Sequence, residues 1–314
     1  MVATVLITGA TGLVGKKLTQ HLLDKGYRVH ILTTQKALSS TETNIQYFYW
    51  NPLNNKIDIS CFKGVEVVIN LAGSPIAQRW TKSAKASILN SRVQALNVLA
   101  SAIKENKFPI QHLISASAIG IYPDSKTNYY QEEDVVSENC SFLRTVVQKW
   151  EAAAQQFEAL NIKITILRIG IVLDNNGGAL PKIMTPIQNY FGAVLASGEQ
   201  WQSWIHSDDL VAMFVYILES KKEGVYNAVA PNPVRQSELT KTIGHVIKKP
   251  IFLPNVPEFM LKLMLGGMSA VVLESQRVCS KKIQSIGFKF EYHELSAALN
   301  DLLKSNLKPQ TSSF

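Results

Sequence analysis

The residues of this chain that can do chemistry gather in three turns rich in glycine and serine. The first is Gly9-Ala-Thr-Gly-Leu-Val-Gly15, with glycines spaced Gly-x-x-Gly-x-x-Gly. An apolar run, Val2 to Ile7, precedes it. Val14, Leu18 and Leu22 follow at four-residue intervals on one face of a helix that Lys25-Gly26 stops. Glycines between a strand and the first turn of a helix suit a dinucleotide. One permits the tight turn, one lets the backbone approach a pyrophosphate, and one lets helix and strand pack closely; the helix N-terminus adds unpaired N–H groups. Three glycines alone also fit an ordinary βα turn, and it is the flanking strand and helix that favour the cofactor reading. The second turn is Asn70-Leu-Ala-Gly73, small residues against which a cofactor can pack. The third is Ser115-Ala-Ser-Ala-Ile-Gly-Ile-Tyr122, where a serine hydroxyl can bond a substrate carbonyl and Tyr122 can donate a proton.

Turns of this kind need a sheet to hold them. Strands are expected at Val2 to Ile7, Arg28 to Thr33, Ile45 to Trp50, Val65 to Leu71, Ile110 to Ser115 and Ile162 to Ile169, with helices over 13–25, about 82–105 and about 142–160. The link between the third and fourth strands is short and its helix weak. Strands alternating with helices imply right-handed βαβ units and a parallel sheet. After about residue 175 the pattern changes. Asn175-Asn-Gly-Gly178, Pro181 and Pro186 break the alternation, and smaller helices are expected near 207–220, 236–247, 256–265 and 293–304, with a short strand at Val225–Val229. Met260, Leu261, Met264 and Leu265 at helical spacing read as a packed core face. Ser305 to Phe314 reads as a frayed tail.

Bulk properties narrow the class. With 314 residues, 46% hydrophobic and 18% charged, the chain is an ordinary globular protein. It has no apolar run of about 18 residues and no basic segment before its first strand, so neither a membrane span nor a signal peptide is expected, and a cytoplasmic location follows. Cys61, Cys140 and Cys279 are far apart and fit buried thiols in a reducing compartment; no zinc spacing and no other metal site is expected. The formal charge of +8 is scattered rather than massed, which argues against nucleic acid as a partner.

The end of the second strand selects between nicotinamide cofactors, because a carboxylate there binds the ribose 2′-hydroxyl of NAD and repels a 2′-phosphate. Here it reads Thr33-Thr34-Gln35-Lys36, with hydroxyls and a lysine, which favours NADP over the alternative NAD.

These motifs resemble those of an extended short-chain dehydrogenase/reductase. More narrowly, the chain resembles the atypical SDR39U1-like, or YfcH-like, branch of epimerase family proteins. The narrow likeness rests on Gln78-Arg79-Trp80, Ser91-Arg92, the fifth-strand serines through Tyr122, Lys149-Trp150-Glu151 and Gly177-Gly-Ala-Leu-Pro-Lys182. It continues through Gln200-Trp-Gln-Ser-Trp-Ile-His-Ser-Asp-Asp-Leu210, Asn227-Ala-Val-Ala-Pro-Asn-Pro-Val234 and Gln276-Arg-Val278. The resemblance implies an α/β fold: a doubly wound Rossmann-type parallel sheet with a smaller C-terminal substrate-side lobe. Residues 1–175 would form the dinucleotide-binding domain, its sheet completed by segments of about 200–230. Residues 176–250 would supply substrate-side segments, and 251–304 the small helical C-terminal module of that branch.

By position, the resemblance gives the pyrophosphate to Gly9, Thr11, Gly12, Leu13, Val14 and Gly15. It gives the adenosine phosphate to Thr33 and Thr34, and the adenine-side ribose or phosphates to Leu71, Ala72 and Gly73. Arg92 would approach the cofactor from the long helix, and Ile171 would touch the nicotinamide end. Ser117 keeps the place of the superfamily's substrate-binding serine. Tyr122 is the nearest candidate acid, and Gln200, Trp201 and Trp204 would line a substrate pocket or clasp two domains.

Two departures stand out. The branch commonly has arginine where this chain has Thr34. The Tyr-x-x-x-Lys pair, in which lysine lowers the pKa of the catalytic tyrosine, is absent from Phe142-Leu-Arg-Thr-Val-Val-Gln-Lys-Trp-Glu-Ala152; Val147 and Glu151 stand in its register. Glu151 reads equally as a salt-bridged helix residue, and Lys149 as a solvated one. His206 reads as structural, with Ser207 or Asp208 capping the next helix. The function expected is an NADP(H)-binding oxidoreductase or epimerase-like enzyme acting on a small molecule. The alternative is a catalytically silent dinucleotide-binding sensor or regulatory protein. Extended relatives often pair through the two long helices, so a homodimer through 82–105 and 142–160 is the assembly this implies.

Overall fold

The computed structural model describes residues 3–36, 42–134 and 141–304. Cys140 and the expected frayed tail, Ser305 to Phe314, lie outside the described residues, as does Val2 at the start of the first strand. The chain divides into two compact units. One comprises Met1–Tyr122, Val135–Ile169 and Leu210–Asn227, and the other Pro123–Asp134, Gly170–Asp209 and Ala228–Phe314.

The first unit is built on one sheet. Its strands are β1 (Thr4–Thr8), β2 (Arg28–Thr33), β3 (Ile45–Asn51), β4 (Lys56–Ile57), β5 (Val65–Asn70), β6 (His112–Ala118), β7 (Lys163–Ile169) and β8 (Gly224–Ala228). They lie in the order β8-β7-β6-β5-β1-β2-β3-β4. From β3 to β7 every neighbouring pair is parallel, and the short β4 runs antiparallel to β3. The order reverses between β1 and β5, the switch point at which open α/β sheets bind ligands beyond the carboxyl ends of their strands. β1 is apolar because it is buried along its whole length, as a central parallel strand must be.

Helices α1 (Leu13–Asp24), α2 (Lys82–Asn106) and α3 (Phe142–Gln155) follow β1, β5 and β6 in the chain. Leu18 and Leu22 of α1 are fully buried, as their spacing requires. Thr81 and Ser141 cap α2 and α3 with their hydroxyls. Between β3 and β5 the chain makes only the β4 hairpin and two 3-10 turns, Pro52–Asn54 and Ile59–Phe62.

The second unit contains short strand pairs and small helices. Ile171–Asp174 runs parallel to Trp204–His206, Trp201–Gln202 antiparallel to Val234–Arg235, and Tyr129–Tyr130 parallel to Arg277–Val278. Its core gathers Leu173, Leu180, Ile187, Trp204, Leu239, Ile243 and the inner face of helix Leu295–Lys304. The Met260 cluster departs from expectation. In helix Glu258–Leu265 only Leu261 is buried, while Phe259, Leu263 and Met264 are 70–84% exposed. The spacing marks an apolar face correctly, but nothing in sequence periodicity says that a face is covered.

Candidate functional site

The turn after β1 closes on itself and on the turn after β5. Gly9 has φ +71°, and a Cβ there would stand 2.6 Å from the Leu71 carbonyl oxygen. A Cβ on Gly15 would collide with the Gly9 carbonyl and the Ala10 backbone. Both glycines are therefore fixed by close backbone approach, one across the switch point and one between helix and strand. Gly12 is the N-cap of α1; no side chain caps it, and no acidic residue occupies the first turn. The amides and the positive end of the helix dipole are thus left for an anion.

Thr8 stitches the two turns together. Its Oγ1 donates to Asn70 Oδ1 at 2.7 Å and accepts the amides of Leu71 and Ala72 at 3.2 Å each. Asn70 in turn donates to Ser115 Oγ at 3.2 Å, so a polar thread crosses β1, β5 and β6.

Arg92 of α2 lies over the second turn. A Cβ on Gly73 would meet its guanidinium carbon at 3.0 Å. Its Nη1 donates to the carbonyls of Ser74 (3.1 Å) and Ile88 (2.9 Å), and the group sits 5.1 Å from the Trp150 ring centroid. Burial, with no carboxylate to offset it, lowers the guanidinium to about 10. A cradle that a Cβ would fill, an uncapped helix and a cation answered by backbone carbonyls and a ring but by no carboxylate among the described residues together fit a dinucleotide diphosphate. Of the other expected contacts, Thr11 and Thr34 are exposed, and Leu13, Val14, Leu71 and Ala72 are half-buried. Thr33 is buried and its hydroxyl accepts the Gln35 amide at 3.1 Å. Lys36 Nζ lies 5.6 Å from the Tyr49 ring centroid.

Ser117 and Tyr122 enter one buried network. Ser117 Oγ donates to Glu151 Oε1 at 2.6 Å. Arg168 of β7 grips the same carboxylate through Nε and Nη2, each at 2.9 Å. Its Nη1 donates to the Tyr122 hydroxyl at 3.0 Å, and that hydroxyl donates to Asn227 Oδ1 at 2.7 Å. All five residues are buried. Burial alone would lower Arg168, but its hydrogen bond to Glu151 and the charge of that carboxylate outweigh it, so the guanidinium is held above its ordinary value. Glu151 is therefore the buried partner of an arginine, and Lys149 is exposed. Arg168 and Asn227 escape a reading of the sequence. The one signal available is a charged residue inside the apolar run Ile164-Thr-Ile-Leu-Arg-Ile169.

The remaining expected residues belong to the second unit. Ile171 is half-buried in its strand. Gln200 is 2% exposed and donates to the carbonyls of Leu195 and Val272. Trp204 is fully buried in the core cluster and its indole donates to the Asn232 carbonyl, so it packs rather than presents a surface. Trp201 alone of these three is half-buried. His206, not Ser207 or Asp208, stands at the N-cap of helix Ser207–Ser220, because its Nδ1 accepts the Asp208 amide at 3.1 Å. That bond places the ring proton on Nε2, 3.4 Å from Asp301 Oδ2. His206, Asp208 and Asp301 approach one another within 4.8 Å, yet in this tautomer they present no bare ring nitrogen to a cation.

Over 300 residues the chain is 39% identical to an epimerase family protein of Staphylococcus saprophyticus, covering 95% of this chain and 98% of that one. Its fold matches the crystal structure of human epimerase family protein SDR39U1 with NADPH at a TM-score of 0.82, with 26% identity over 96% of this chain and 99% of that one. The UDP-glucuronic acid 4-epimerase of Bacillus cereus, solved with NAD, matches at 0.77 with 18% identity over 97% of this chain and 100% of that one, a likeness of fold alone. Residues 256–302 match a domain of unknown function, DUF1731. Residues 5–229 match the NAD dependent epimerase/dehydratase model, and the chain belongs to that family.

Proposed function

We propose that the protein is an NADP(H)-binding oxidoreductase of the epimerase type, acting on a carbonyl-bearing small molecule. The observation that carries this reading is the turn Gly9–Gly15, whose backbone leaves no room for side chains at Gly9 or Gly15 and whose helix begins uncapped. Gly9, Thr11, Gly12, Leu13, Val14 and Gly15 hold the pyrophosphate, and Arg92, with Leu71, Ala72 and Gly73, neutralises and packs against the phosphates. Thr33, Thr34 and Lys36 face the adenosine 2′-phosphate, and Ile171 the nicotinamide end. The human relative solved with NADPH supports the choice of NADP; the more distant fold relative solved with NAD keeps NAD as the alternative.

When bound, the nicotinamide supplies a hydride donor and acceptor. Ser117 Oγ, its own proton committed to Glu151, is left to accept a hydrogen bond from a substrate hydroxyl. Tyr122 accepts from Arg168 and donates to Asn227, so its hydroxyl steadies the buried network that holds Ser117. Residues 1–175 carry the cofactor, residues 176–250 supply substrate-side segments and residues 251–304 form the small helical C-terminal module.

A second reading is favoured by one observation: the Tyr122 hydroxyl is fully buried and spent on Asn227. This is what a dinucleotide-binding sensor without turnover would have. Fluorescence titration with NADPH and NADH, then loss of reduced-cofactor absorbance across a panel of carbonyl compounds, separates the two. Tight NADPH binding with turnover is the expected result. Tight binding with none across the panel leaves the sensor, and a clear preference for NADH overturns the cofactor assignment.

A further inference from the structure

Two arginines of the second unit flank one indole. Trp201 and Arg235 face each other across an antiparallel strand pair, and Tyr129 and Arg277 across a parallel one. The pairs bring the four side chains into a row. Arg235 lies 3.9 Å from the Trp201 ring centroid, Arg277 lies 4.4 Å from that centroid, and Tyr129 covers Arg277 at 4.7 Å.

The two cations are treated differently. The edge of Arg235 is met by Glu199, through a hydrogen bond to its carbonyl and a carboxylate oxygen 4.0 Å from Nε. Arg277 meets no hydrogen-bond acceptor and no carboxylate among the described residues, and its buried Nε has no partner. The acids of neighbouring segments are engaged elsewhere. Glu274 accepts the Gln276 amide at 3.0 Å, and Asp124 accepts the Ser275 N–H at 2.8 Å.

We propose that Arg277 anchors a binding site for the oxyanion of a small molecule, a phosphate or a carboxylate. The site uses none of the residues of the dinucleotide reading and goes beyond it. Rings on both faces strip water from a guanidinium without using its N–H groups, so its in-plane donors remain for a planar or tetrahedral anion. The fork geometry matches a planar or tetrahedral oxyanion in two places, where an ammonium offers only a point charge.

Isothermal titration of the full chain with inorganic pyrophosphate and, separately, with citrate tests the site, with and without NADPH. Wild type is expected to bind at least one of them, and the one bound identifies phosphate or carboxylate as the ligand chemistry. Arg277→Gln should weaken that binding about tenfold or more. Arg277→Lys, which keeps the charge and loses the fork, should fall between them and guards against a Gln variant that does not fold. NADPH affinity should be the same in all three. The proposal is overturned if neither anion binds wild type, or if Arg277→Gln and Arg277→Lys bind as tightly as wild type. Because the anion titration is read without NADPH as well, its failure is distinct from a failure of the dinucleotide site.

Discussion

Arg92 is half-buried and Arg168 buried within the same unit, and their charges have opposite fates. Arg168 is answered in full: two of its nitrogens hold Glu151, the third holds Tyr122, and the balance of burial and charge raises it. Arg92 is answered by two backbone carbonyls and an aromatic ring, and burial lowers it. A desolvated cation without a carboxylate is a cost to the fold, and one that an incoming anion removes. A desolvated cation gripped by its own carboxylate needs nothing from outside. The difference separates an end of the molecule prepared for a ligand from a region that completes itself.

The largest effect that could break this contrast is at Glu151. Glu151→Ala leaves Arg168 buried and uncompensated and should cost about 3–5 kcal/mol in urea unfolding, whereas Glu151→Leu combined with Arg168→Met should recover most of that loss. A single variant within about 1 kcal/mol of wild type would mean that the pair is not self-complete.

His112 supplies a third way of burying a charge, by discarding it. Burial, and then the charges of Lys163 and Lys221, hold the ring down at about 4. Between that value and the ordinary histidine range of about 6.5, the unfolded chain binds a proton that the folded chain refuses, so stability is lost as pH falls through this window. The contribution is about 2–3 kcal/mol after allowance for solvent screening. Urea unfolding of wild type and His112→Phe at pH values across that window should show wild type losing more stability on acidification, and parallel losses would remove His112 from the account.

Tyr122→Phe strips the hydroxyl shared by Arg168 and Asn227 and should cost about 1–3 kcal/mol, read by the same unfolding assay. Smallest in stability is Arg92→Met, expected within about 1 kcal/mol of wild type or slightly above it, since no carboxylate loses a partner. Its NADPH affinity should nevertheless fall about tenfold or more. If stability and affinity fell together, Arg92 would be a structural cation like Arg168.

Much of the frame is readable from residue order, because it depends on local pattern. The second strand, Arg28 to Thr33, and the helix over 207–220 fall where periodicity and turn residues put them. The fifth strand does not. It runs on to Ala118 rather than ending at Ser115, since Ala116-Ser-Ala118 carries little β signal of its own and is held extended by pairing with Arg168 and Ile169. The glycine turn is legible for the same local reason. The Glu151–Arg168 pair is not, because its members sit on a helix and a strand whose facing is decided by tertiary packing. The N-cap at His206 shows the same limit at short range. Ser and Asp are the better caps by type, but the imidazole is the group that reaches the amide.

Helix Glu258–Leu265 carries its own oxidant record. Met260 and Met264 are 42% and 74% exposed, while Met184 and Met213 are buried. A thioether open to solvent takes up oxygen from peroxide far sooner than one packed in a core, and the product is a polar sulfoxide. Among the described methionines, Met260 and Met264 are therefore the ones that oxidation will mark first, and each mark turns part of an apolar surface polar.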